Sequence, residues 1–316
     1  MKVAAPTRGP LSKARQNLLA AVFVASLITL LAGCGSNAPS SSSSGKLQVV
    51  AAENFWGSIA VQLGGEKVAV ASIITNPDTD PHSYEPTAAD GVTIARSQMA
   101  IVNGIGYDNW ASKLLAANPS SERELLNVGR LLGLQQADNP HQWYSPTSVQ
   151  RVIGQITADY QRLDPKDAAY FNQRRVAFQT QSLAQYNHLR SEIRARYAGT
   201  PVGYSESIFQ PLGQSLGLKL MTPYSFAKAI AEGADVSAED KQTVDRQAED
   251  HAIKVWVYNS QNVTPDVQRV SQLASAAHIP TVTVTETLSP ASASFEQWQT
   301  AQLSALRAAL NKATGR

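Results

Sequence analysis

DPKDAAYFNQRRVAFQTQSLAQYNHLRSEIRARYAG, residues 164–199, is the stretch on which the fold turns. Asp164 and Pro165 open a helix, because proline is tolerated in a first turn whose N–H groups lack partners in any case. No Gly or Pro follows until Gly199 and Pro201, which form a stop signal. Phe171, Phe178, Leu189, Ile193 and Tyr197 supply an apolar stripe, so a single long helix of roughly 50 Å is expected. On either side, short β-branched runs alternate with amphipathic stretches. Residues 47–51, 68–74, 100–103 and 125–128 read as strands before it, and residues 201–204, 218–221, 253–258 and 279–284 as strands after it. Between them lie helical patterns such as 237–251 and 265–277. A further helix begins with Ser145 as N-cap and Pro146 in its first turn, and buries Val149, Val152, Ile153, Ile156 and Tyr160. The spacing predicts two α/β halves joined by a rod.

The first residues obey a different logic. Lys2, Arg8, Lys13 and Arg15 precede an uncharged, mostly apolar run over 18–31, which reads as an export signal and is short for a membrane span. Leu31, Ala32, Gly33 and Cys34 read as a lipobox, with Cys34 as the lipidated residue; two acyl chains there give stable attachment to a lipid bilayer. Cys34 is the only cysteine, so neither a disulfide framework nor a thiolate ligand is expected. Residues 34–45 are Ser-rich and suit a tether. The expected organisation is therefore a signal peptide over 1–33, a lipid-anchored tether over 34–45, an N-terminal lobe over 46–163, a connecting helix over 164–198 and a C-terminal lobe over 199–316. Without the four basic residues of the signal, 27 basic residues become 23 against 25 acidic ones, a balance of −2. No basic patch with interleaved aromatics follows, which argues against nucleic acid as a partner.

Four segments place a nitrogen or oxygen donor after an expected strand, where ligands gather in open α/β sheets. Asp80-Pro81-His82-Ser83-Tyr84-Glu85-Pro86 and Asn139-Pro140-His141-Gln142-Trp143-Tyr144-Ser145-Pro146 each frame a histidine with prolines, which stiffen the loop. Tyr204-Ser205-Glu206-Ser207-Ile208-Phe209 and Val284-Thr285-Glu286-Thr287-Leu288 each put a glutamate after a strand in the second half. Singly, each histidine reads as a solvated loop residue and each glutamate as a carboxylate at a helix start. Two matched histidines opposite two matched glutamates, in a chain with five histidines, point instead to one shared cation. His188, His251 and His278 fall within or at the ends of expected helices and receive surface or capping roles.

With these motifs, and with Ala52-Glu53-Asn54-Phe55-Trp56 and Leu216-Gly217-Leu218, the sequence resembles the zinc/manganese solute-binding lipoproteins of ABC importers, the TroA-like family. The resemblance covers essentially the whole chain after the signal. It implies two lobes, each a four-stranded, mostly parallel sheet flanked by helices, joined by one long rigid helix. It also implies His82, His141, Glu206 and Glu286 as ligands of one transported divalent ion, manganese or zinc with iron as a further possibility. A membrane permease and its ATPase are the implied partners, and a monomer on the extracytoplasmic face of the membrane or in the periplasm is the expected state. Many zinc-specific members have a third histidine where this chain has Glu206, and an acidic histidine-rich loop that is absent here. Many also carry aspartate where this chain has Glu286.

Two imidazoles with two carboxylates suit tetrahedral zinc and also manganese or ferrous iron at higher coordination; the second carboxylate leans the set toward the harder manganese. Loss of affinity below about pH 6 is expected from histidine protonation. A metallohydrolase would need an open coordination position and a base, and no His-Glu-x-x-His helix is present. A binding protein for a siderophore or cobalamin would need a wide aromatic cleft, whereas Trp56, Tyr84 and Trp143 read as packing. No catalytic residue is assigned, and no enzyme is expected.

Overall fold

Eight strands build two sheets in the computed structural model, which describes residues 1, 4, 45–79, 81 and 84–316. The expected signal peptide, Cys34 and most of the tether lie outside the described residues, as does His82. The unit Lys46–Arg316 holds everything that follows. Its strands are β1 (Leu47–Glu53), β2 (Val68–Ile74), β3 (Met99–Val102), β4 (Glu124–Asn127), β5 (Pro201–Tyr204), β6 (Lys219–Leu220), β7 (Val255–Asn259) and β8 (Thr281–Val284). The sheet orders are β2-β1-β3-β4 and β6-β5-β7-β8, and every pairing is parallel. The two halves therefore repeat one topology. In each, strand order reverses between the first and third strands, leaving a crevice beyond their carboxyl ends.

Helix ends follow their sequence signals. Ser145 caps the helix Pro146–Leu163 through Ser148 N–H, Ser237 caps Ala238–Glu249 through Asp240 N–H, and Thr264 caps Pro265–Ala276 through Val267 N–H. Past the last two helices, His251 and His278 take left-handed φ values of 53° and 54°, the conformation usual just beyond a helix C-terminus. His188 is exposed, 4.0 Å from Glu192 on its own helix.

The rod is present but is not one uninterrupted α-helix. It runs as a short 3₁₀ turn Pro165–Asp167, the helix Ala168–Ala177, a π-helical turn Phe178–Ser182 and the helix Ala184–Tyr197. The cause lies in the spacing of its apolar residues. An α-helix would bring Ser182 beneath Phe178, whereas Leu183 is the apolar residue there. One extra residue in the turn, closed by Leu183 N–H on the Phe178 carbonyl at 2.9 Å, brings Leu183 into the core and keeps Tyr186, Leu189, Ile193 and Tyr197 on the same buried face. Alongside packs the helix Phe295–Thr314, where Arg307 meets Glu192 at 2.9 Å and Tyr197 Oη lies 3.3 Å from Asn311 Oδ1. The first turn of that helix also reaches the N-terminal lobe, with Phe295 N–H donated to Ser58 Oγ at 2.8 Å. One continuous buried cluster runs through both lobes and the rod, including Trp56, Trp143, Phe178 and Trp298. Among the described residues no helix is long and apolar enough to cross a membrane.

Candidate metal centre

His141 sits where Asn139 and Pro140 lead into the short turn Gln142–Tyr144. Asn139 Oδ1 accepts the His141 backbone N–H at 3.0 Å and lies 2.8 Å from Nδ1, so Nδ1 carries the proton and Nε2 keeps its lone pair. The same Asn139 donates Nδ2–H to the Ser207 carbonyl at 2.7 Å and to Gln210 Oε1 at 3.1 Å, tying the histidine loop to the C-terminal lobe. Tyr107 and Trp143 stand edge-on to the imidazole, with ring centres 6.0 and 5.2 Å away. The residue is 0% exposed, and burial pulls its pKa down to about 4 against the opposing pull of Glu206. Burial thus favours the neutral imidazole, the form that can bind a metal. Burial therefore moves the loss of affinity expected below about pH 6 from histidine protonation toward lower pH at this residue.

Glu206 follows β5, and Glu286 follows β8. Their Oε1 atoms lie 3.9 and 3.6 Å from His141 Nε2, and one ligand atom from each of the three residues falls within 4.8 Å of the others. Donors bound at about 2.1 Å to one tetrahedral ion stand roughly 3.4 Å apart, so the two histidine–glutamate distances are near those that one cation requires. Both glutamates are buried, at 1% and 6% exposure. Burial first and Glu286 second push the Glu206 carboxyl well above the ordinary glutamate range, while His141 opposes. Two carboxylates facing one another in a dry site do not both ionise without a positive charge between them. Of the sequence-derived set, the structure brings together His141, Glu206 and Glu286; His82 is outside the described residues.

The side chains that orient these carboxylates were not found by sequence reasoning. Asn259, at the end of β7, donates Nδ2–H to Glu206 Oε2 and to Glu286 Oε1, each at 3.0 Å. Asn262 donates to Glu206 Oε2 at 3.2 Å and to the Ile230 carbonyl at 3.1 Å. Tyr107 donates its hydroxyl to Glu286 Oε2 at 2.9 Å, and burial followed by the Glu286 charge holds that phenol well above its usual pKa. The signal available was Asn259-Ser260-Gln261-Asn262, a polar run at the end of a strand and just before a capped helix. Its importance depends on β7 lying beside β5, which sequence does not state.

Tyr107 reaches the site by an unusual turn. Gly104, Ile105 and Gly106 have φ values of 71°, 58° and 79°. A Cβ at Gly104 would stand 2.6 Å from Asn127 Oδ1, so glycine is required there twice over. Ile105 bears a left-handed backbone that costs a β-branched residue about 1 kcal/mol or more. Asp108 offsets the strain by accepting Asn103 N–H at 2.6 Å and Gly104 N–H at 2.7 Å. Facing Asp108 is Glu53, fully buried at the end of β1, where Glu206 stands in the second half. Burial raises the pKa of Asp108 to about 6, against its backbone donors, and burial followed by the Asp108 charge raises Glu53 well above the normal range.

Carboxyls whose folded pKa exceeds the unfolded value stabilise the fold while protonated, and lose that contribution as pH rises through the folded value. The metal-free protein should therefore lose stability between pH 5 and pH 8, and Glu53→Gln should reduce that loss. Urea midpoints at the two pH values check this; an equal pH dependence in the variant refutes it.

A cleft of about 350 Å³ opens onto Glu206 and Glu286 between Pro77, Asp78, Gln261 and Glu232. A second, of about 220 Å³, opens onto His141 between Ile105, Pro140, Ser207 and Tyr224. The three donors therefore border solvent-sized space on two sides.

Comparison with known proteins follows the same lines. The profile of the family described as ZnuA, zinc-uptake complex component A periplasmic, matches residues 49–309. The manganese-binding lipoprotein MntA of Halalkalibacterium halodurans is 26% identical over 204 residues, covering 62% of this chain and 67% of that protein. The manganese ABC transporter substrate-binding lipoprotein PsaA of Streptococcus pneumoniae is 28% identical over 216 residues, covering 63% and 68%. Among solved structures, a Mn-bound periplasmic metal binding protein from Candidatus Liberibacter asiaticus superposes with a TM-score of 0.70 at 19% identity, over 84% of this chain and 100% of that one. That likeness is one of fold.

Proposed function

We propose, from the premise that this chain belongs to the ZnuA family, that it captures one divalent transition-metal ion between its lobes and delivers it to an ABC importer. The family is one of solute-binding components that work with a permease and an ATPase, and not one of enzymes, so the metallohydrolase reading falls. The observation that carries the proposal is the convergence of His141 Nε2 with the carboxylates of Glu206 and Glu286 in a buried site. His82 joins the set on its proline-framed motif alone. Manganese is the proposed cargo, because the carboxylates favour a hard cation; zinc competes, since the Irving–Williams order gives it the tighter intrinsic binding. Cys34 is proposed as the lipid-bearing residue that holds a monomer at the extracytoplasmic face of the membrane.

The cation's role follows from the electrostatics. Arrival of positive charge allows Glu206 and Glu286 to ionise together, so binding expels a proton that the empty site retains. Affinity should fall as pH falls through the raised Glu206 value, with His141 contributing only near pH 4. Calorimetry of manganese binding in buffers of different ionisation enthalpy reads the released proton directly. Buffer-independent heats count against the carboxylate pair as ligands. Elemental analysis of natively purified protein, with competition titrations of manganese, zinc and ferrous iron, tests the proposal as a whole. One tightly held equivalent is expected, and none overturns it.

A further inference from the structure

Gln261 stands between two loops that belong to different lobes. Its Oε1 accepts the backbone N–H of Glu286 at 2.5 Å and that of Thr287 at 3.2 Å. Its Nε2 donates to Thr287 Oγ1 at 2.9 Å and, across the cleft, to the carbonyl of Pro77. The amide orientation is forced, since backbone N–H groups need an acceptor and a backbone carbonyl needs a donor. The side chain is itself held by Gln261 N–H on Asn259 Oδ1 at 3.0 Å, so the residue that aims both glutamates also aims the amide. Pro77 lies in the β2–β3 connection, in a turn closed by Thr79 N–H on the Asn76 carbonyl at 3.1 Å and by Asp78 N–H on Asn76 Oδ1 at 3.0 Å. That turn forms one wall of the cleft leading to Glu206 and Glu286.

We infer that Gln261 is a positioning residue which latches the Pro77 turn of the N-terminal lobe to the backbone of Glu286, and so sets how fast the captured ion escapes. The inference rests on the proposed metal site for its consequence, and on the hydrogen bonds alone for the coupling. Loss of the amide frees the cleft wall and the Glu286 backbone together. No metal contact is removed, because Gln261 offers the site no ligand: both ends of its amide are engaged with protein. Escape should accelerate while capture stays at the wild-type rate.

The test uses the full chain: manganese chloride for association rates and for dissociation into excess chelator, and the metal-free protein for amide exchange by NMR, because paramagnetic manganese would broaden the amides around the site. Gln261→Ala should raise the dissociation rate about tenfold at an unchanged association rate, and should speed exchange at Asp78, Thr79 and Glu286 about tenfold. Gln261→Glu separates the two ends of the latch. Its carboxylate still accepts from Glu286 and Thr287 but has no proton for Pro77, so exchange should rise at Asp78 and Thr79 and stay at wild type at Glu286. Wild-type exchange at Asp78 and Thr79 in both variants overturns the latch. So does manganese loss from Gln261→Ala at the wild-type rate. Equal acceleration at strand amides such as Val257 also overturns it, because the residue would then be a general stabiliser. A wild-type chain that takes up no manganese is a different failure: it removes the metal site, and the exchange data still decide the coupling.

Discussion

His141→Ala should weaken manganese binding by roughly a thousandfold, equivalent to about 4 kcal/mol. Two losses combine. The ion loses a neutral nitrogen donor whose tautomer is fixed by Asn139, and the two buried carboxylates are left to share the ion without the imidazole that completes their shell. The metal-free fold should also lose stability, since the fully buried imidazole packs against Tyr107 and Trp143, so binding and folding are measured separately. Titration calorimetry alongside thermal unfolding with and without manganese separates the effects. A dissociation constant within tenfold of wild type would remove His141 from the site. At equal manganese concentration the metal-dependent rise in melting temperature should shrink in the same variant, because an ion that binds only the folded state stabilises in proportion to the logarithm of its concentration over the dissociation constant.

Asn259→Leu should cost roughly 10- to 100-fold in affinity without touching the ion. Asn259 is fully buried, and its single NH₂ group serves Glu206 and Glu286 together. Leucine fills much the same volume and offers neither carboxylate a donor. With the donor gone the ionised pair is less favourable, so the Glu206 carboxyl should rise further and the fall of affinity with acid should begin at a higher pH. This pH signature separates lost hydrogen bonding from a mere change of shape. Calorimetry between pH 5.5 and 8 reads it, and a profile parallel to wild type would show that Asn259 only fills space.

The two residues differ in how visible they were before the fold was known. His141 alone read as a solvated loop histidine; it became a candidate ligand because a second histidine stands in a matching proline frame. Glu206 and Glu286 were legible by position, each standing directly after a β-branched run. Asn259 carried no such mark, because an asparagine at the end of a strand is commonplace. Gln261 and Tyr107 were hidden for the same reason, and Glu53 was quoted as part of a motif without its burial against Asp108 being foreseeable. The rod shows the same limit from the other side: its length and ends were readable, but the π-helical turn depends on Leu183 rather than Ser182 facing the core.

Sequence by itself determined the alternating strand and helix pattern, the cap at Ser145, the rod between the halves and the donor types after the strands, because each is a matter of spacing along the chain or of local backbone preference. Only tertiary structure decided that β7 lies against β5, that Asn259 therefore sits between the two glutamates, and that Gln261 reaches Pro77 from the opposite lobe. Ligands announce themselves through chemistry carried in one residue. The groups that hold ligands in place are ordinary amides and phenols, and they acquire a role only when a parallel sheet sets its strands side by side in an order different from that of the chain.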